Sequence, residues 1–153
     1  MVALSVLFVA LPVQAAPHAG TGTITVRLIS TAEDGKWLID RSPKHEASKG
    51  DVISSSSLLR NQVTQFGRPK GALVGSDRVI FRVVTTSQAD ARLDTSLPGG
   101  TLRATGRVRF GPLQTYTVTG GTGRFAHAVG TAESRALAQH GNRRLEVYRL
   151  RLP

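Results

Sequence analysis

Residues 118–125 read Val-Thr-Gly-Gly-Thr-Gly-Arg-Phe, and with Ala126 they contain the spacing Gly121-x-Gly123-x-x-Ala126. Glycines so placed can let a backbone approach a pyrophosphate, which the N-terminus of a following helix then holds. That chemistry requires a strand before the glycines and a helix after them, inside a βαβ unit of about 30 residues. Only 27 residues follow Ala126. They hold two strand-like runs, 131–137 and 144–152, and place no acidic residue at the ribose position of a following strand. The run therefore reads as a reversal between antiparallel strands, and no nucleotide or other cofactor is expected.

Other reactive groups are sparse. The chain has no cysteine, which excludes thiolate metal sites, cysteine nucleophiles and a disulfide framework. His18, His45, His127 and His140 lack ligand spacing, so no metal site is predicted. His127 lies in the glycine corner without an adjacent acid and reads as exposed. Chemistry must then come from carboxylates, arginines and tyrosines on strands, and their direction depends on the elements that carry them.

Those elements are β-strands, punctuated by Gly, Pro and Asp. Segments 23–30, 36–40, 51–59, 77–86, 101–110, 114–119, 130–137 and 144–152 have strand character, with 87–99 read as a loop. Segment 51–59 is a polar strand entered by Gly50, and Asp77 is expected to cap the turn before its strand. In 101–110, Leu102, Ala104, Gly106, Val108 and Phe110 share one face, and Thr101, Arg103, Thr105, Arg107 and Arg109 share the other. The last two strands make a hairpin through His140-Gly141-Asn142. Seven or eight short strands without crossover helices predict an all-β fold, an eight-stranded antiparallel β-barrel whose closure removes exposed edges. Such a barrel has an interior that side chains fill or that holds one small ligand. The small inward residues Ala104 and Gly106 suit a cavity.

Strand parity then supplies candidate ligand-binding residues. If Val129 faces the lumen, Glu133 and Arg135 follow it, unless Gly130 makes a bulge that flips the register. As an exposed ion pair on the outer face they would have no such role, and this is the commoner arrangement. Arg82 interrupts the apolar run 79–84, either as an outward residue or as a paired pocket group. Tyr116 offers a phenol to the lumen or a core ring.

Residues 1–16, MVALSVLFVALPVQAA, are uncharged and largely apolar, too short for a permanent membrane anchor, and end in small residues. They read as a signal peptide lacking its basic region, which a start codon further upstream would explain, or else as a buried N-terminal strand or helix; a single barrel domain is expected over 17–153. Localisation is accordingly expected to be secreted or extracytoplasmic. The net charge of +10 derives from sixteen arginines and four lysines against ten acids. It fits a solvated basic exterior or an anionic cell-envelope polymer as partner. Export and scarce aromatics argue against nucleic acid.

From Leu113 to Ala132 the chain reads LQTYTVTGGTGRFAHAVGTA. Val118, Gly120, Gly121, Thr122, Gly123, Phe125 and Gly130 in this stretch resemble the glycine corner of the allene oxide cyclase barrel superfamily, which includes dirigent proteins. Lys49-Gly50-Asp51 before a strand, and the order of strand 77–86, loop and Gly100-Thr101-Leu102, are similar to that family over about 100 residues. The resemblance implies an eight-stranded barrel gripping a small hydrophobic molecule and guiding an isomerisation or cyclisation without metal or nucleotide. It also implies homo-oligomers, as dimers or trimers. Dirigent proteins typically place an Arg before the glycine that opens the next strand, where this chain has Val129. Nor does strand 23–30 hold the acid that plant allene oxide cyclases use. The expected function is thus a lumenal small-molecule site of unnamed substrate. The alternative is a non-catalytic binding protein whose Arg103, Arg107, Arg109, Arg149 and Arg151 meet an anionic polymer.

Overall fold

The computed structural model describes residues 22–33, 35–139 and 141–153. The signal-peptide expectation, His18 and His140 lie outside the described residues. Among the described residues nine strands run in chain order: β1 Gly22–Ala32, β2 Lys36–Ile39, β3 Val52–Asn61, β4 Leu73–Thr85, β5 Gln88–Leu97, β6 Gly100–Arg109, β7 Leu113–Gly121, β8 Val129–Ala136 and β9 Arg143–Leu152. Each pairs antiparallel with its neighbours in the order β1-β9-β8-β7-β6-β5-β4-β3, and β1 pairs with β3 to close an eight-stranded barrel. β2 continues β1 along the same edge of β3, where Trp37 opposes Ile53 and Ile39 opposes Val52. It belongs to the first strand interrupted, not to a ninth position around the barrel.

Segment 87–99 is not a loop. It holds β5, whose Ala89, Ala91, Leu93, Thr95 and Leu97 are buried while Asp90 and Arg92 face solvent. Small and polar residues on both faces conceal the alternation, and barrel pairing to β4 and β6 supplies the order that local propensity does not. β4 also begins earlier than expected, so Asp77 lies within a strand and caps no turn.

One end of the lumen is packed solid. Leu28, Leu59, Leu102, Val118, Phe125 and Leu150 are at most 2% exposed there. Phe125 sits in a single 3₁₀ turn, Gly123–Phe125, between β7 and β8. Thr122 ties this corner to β6: its hydroxyl accepts from Thr101 N–H at 3.1 Å and bonds the Thr101 hydroxyl at 2.8 Å. The Arg124 N–H donates to Gly99 C=O at 2.8 Å. Gly123 has φ +58°, and a Cβ there would stand 2.1 Å from Gly99 O, so the corner requires glycine.

Midway along the lumen, the Tyr148 hydroxyl bonds Thr95 Oγ1 at 2.8 Å, both groups being almost fully buried. Tyr148→Phe is expected to leave Thr95 Oγ1 unpaired at a cost of about 1–3 kcal/mol, readable as a lower urea midpoint. An unchanged midpoint would mean that this bond contributes nothing net.

Candidate functional site

The other end of the lumen is hollow, and the sequence explains why. β3 carries four consecutive serines, 54–57, where other strands carry branched apolar residues. Ser55 and Ser57 point inward from β3, and Ser30 and Ser134 do so from β1 and β8. Small hydroxyl side chains leave a cavity of about 200 Å³. Its apolar walls are Val79, Phe81 and Leu93. Half-buried Ser55, Phe81 and Gln114 stand at its rim, so solvent reaches it. Ala104 and Gly106 do not line it: Ala104 belongs to the packed core.

Two carboxyls converge on this space, Asp77 from β4 and Glu146 from β9. Glu146 is 4% exposed and Asp77 7%. Burial pushes the Glu146 carboxyl up to about 7; Ser134 and Arg144 pull it down, and the Asp77 charge raises it. Burial likewise raises Asp77 to about 6, against the pull of Ser57. Both therefore carry protons well above the usual carboxylate range. Ser134 Oγ donates to Glu146 Oε1 at 2.7 Å, and Arg144 donates from Nε to Ser134 Oγ and from a terminal nitrogen to Ser134 C=O at 2.9 Å. Glu146 Oε2 is buried with no partner among the described residues.

Tyr116 also lines the cavity, and its hydroxyl donates to Gln114 Oε1 at 2.9 Å. Burial, and then the Glu146 charge, hold its pKa well above that of a free phenol, so it stays a neutral donor. Protonated acids and a phenol on apolar walls can polarise a carbonyl or move one proton.

The structure separates the other sequence candidates from this site. Arg82, Glu133 and Arg135 lie on the outer face and line no part of the lumen: Arg82 shares the outward parity of Arg78 on β4, and Val129 points outward and sets the parity of β8. Glu133 instead meets Arg149 at 2.9 Å. The arginine face divides as well. Arg103 meets Asp94 at 2.9 Å and Arg107 meets Asp90 at 2.8 Å on β5. Arg149 and Arg151 stand on β9, separated from β6 by β8 and β7. Gly120, Gly121, Thr122, Gly123, Phe125 and Gly130 build the closed end and touch none of the cavity.

Asp77 and Glu146 carried a readable signal. Asp77 shares parity with Val79, Phe81 and Val83, and Glu146 with Tyr148, Leu150 and Leu152, so an acid stands in each apolar row. Gln114 and Ser134 had no such signal.

No family model matches this chain, and no curated protein matches it. Solved structures do. A pyocyanin demethylase superposes with a TM-score of 0.64 at 21% identity, covering 83% of this chain and 99% of that one. A Diels Alderase from Streptomyces koyangensis gives 0.66 at 15% identity, covering 89% and 72%. A pterocarpan synthase dirigent protein gives 0.57 at 17% identity, covering 84% and 83%. The chain has the antiparallel barrel fold of the dirigent-like and Diels-Alderase cyclase proteins.

Proposed function

We propose that this barrel, sharing the fold of dirigent proteins and Diels-Alderase cyclases, binds a small hydrophobic molecule in its lumen and guides its cyclisation or isomerisation. The observation that carries the reading is the asymmetry of the lumen. One end is filled by buried apolar side chains, while the other keeps a solvent-reached cavity in which Asp77, Glu146 and Tyr116 converge on apolar walls. A barrel serving only as a scaffold gains nothing from burying two carboxyls beside empty space, since each costs stability whenever it ionises.

Rate enhancement here comes from holding a flexible substrate in one reactive conformation away from water. Polarisation of a single oxygen by a neutral acid adds to it. Two of the neighbours, a Diels Alderase and a pterocarpan synthase dirigent protein, support the reading of a barrel that guides cyclisation.

Saturation-transfer NMR against a panel of small hydrophobic carbonyl compounds tests the reading. Binders are expected with the native chain and with Glu133→Gln, on the outer face. They should be lost in Ser55→Phe, whose ring enters the cavity. Equal binding by a folded Ser55→Phe barrel would sink the proposal.

A further inference from the structure

We propose that Glu146 presents a hydrogen-bond donor at Oε2 to the lumen, for a neutral ligand with a carbonyl-type acceptor oxygen, and that Ser134 and Arg144 position it. The inference rests on the lumenal reading above and specifies its ligand class.

Proton accounting carries the argument. The Arg144 guanidinium is always charged and only donates. Its Nε–H is directed at Ser134 Oγ. A serine hydroxyl has one proton, and with Oγ accepting from Arg144 that proton points to Glu146 Oε1, 2.7 Å away. Oε1 is thereby committed as an acceptor, so a proton on this carboxyl resides on Oε2. That oxygen is the one without a partner, on a side chain 4% exposed that lines the cavity. A buried polar atom left unpaired carries an uncompensated desolvation cost, which an acceptor entering the lumen would recover. Val79, Phe81 and Leu93 give the cavity apolar walls that suit a flat apolar body, and the Tyr116 hydroxyl is already directed at Gln114.

The charged and titratable groups facing Glu146 are Asp77 from β4, Tyr116 from β7, and Arg144 and Tyr148 from β9. Both tyrosines are held neutral by burial far above physiological pH. Asp77 titrates in a neighbouring range, and an Asp77→Asn variant separates its contribution from that of Glu146.

The test uses prodan, a neutral naphthyl ketone whose emission moves to the red when its carbonyl accepts a hydrogen bond. The native chain at a pH of about 6 is expected to bind it with red-shifted emission, and affinity should fall about tenfold by a pH of about 8 as Oε2 loses its proton. Asp77→Asn should keep that fall. Glu146→Gln should keep the red-shifted emission and lose the pH dependence, because Ser134 holds Oε1 and the amide nitrogen takes the place of Oε2. Glu146→Leu should bind without the shift. Ser134→Ala should reduce the shifted fraction several-fold, and Ser134→Thr, which keeps the hydroxyl, should restore it. Unshifted emission in the native chain, the same shift in Glu146→Leu, or affinity rising with pH would overturn the donor assignment. If prodan binds a folded Ser55→Phe barrel equally well, the lumenal reading itself fails.

Discussion

Gly123→Ala is expected to destabilise the barrel by at least about 3 kcal/mol, seen as a large fall in the urea midpoint. Two costs combine at this position. The backbone is left-handed at φ +58°, and a Cβ would stand 2.1 Å from Gly99 O, a backbone atom that cannot rotate aside. Relief would require moving the Gly99–Gly100 turn, which also receives the Arg124 N–H. Phe125, fully buried at the closed end, depends on the same turn. Gly111→Ala is the control, since nothing lies within 4 Å of its Cβ position. Its effect should stay within about 0.5 kcal/mol. Equal midpoints for the two variants would show that the corner tolerates a side chain and that another feature closes this end.

Stability should fall as pH rises from about 5 to about 8, through ionisation of two lumenal acids whose folded pKa values are raised. Their ordinary values are 3.8 for Asp77 and 4.5 for Glu146, against about 6 and about 7 in the fold. Between each pair of values the folded chain binds more protons than the unfolded chain. The stabilisation is therefore complete below the lower value and is lost through the higher one. For Glu146 the loss is on the order of 3 kcal/mol, and the mutual repulsion of the two acids makes their contributions non-additive. Asp51 behaves oppositely. Burial works against its charged form, yet the Arg41 and Ser48 N–H groups and the Ser48 hydroxyl hold its carboxyl below the usual range. Its contribution disappears only as pH falls below that of a free aspartate. Glu146→Gln should remove most of the slope and exceed the native chain in stability at a pH of about 8. Urea titrations across this range provide the measurement. Stability rising from pH about 5 to about 8 would mean that the acids sit ionised and paired in the fold.

Much of the architecture was legible locally. Alternation in 101–110 gave the buried and exposed faces of β6 as the structure has them. β5 was hidden because Asp90, Arg92 and Asp94 interleave with alanines too small to signal a buried face. The site was legible only in part. Tyr116 lines the cavity, while Glu133 and Arg135 do not, because parity on β8 could not be fixed across Gly130, where φ is +152°; Arg82 on β4 takes the outward of its two readings. A single residue's shift at such a point exchanges the two faces of a strand.

The sequence alone determined that this chain makes an antiparallel barrel turned at a glycine corner, since alternation and positive-φ glycines act over a few residues. Tertiary structure decided which polar groups meet. Asp77 on β4 and Glu146 on β9 share one space only because closure brings distant strands around a common lumen. The serines of β1, β3 and β8 become a cavity for the same reason, since missing volume has meaning only once the opposite wall is in place.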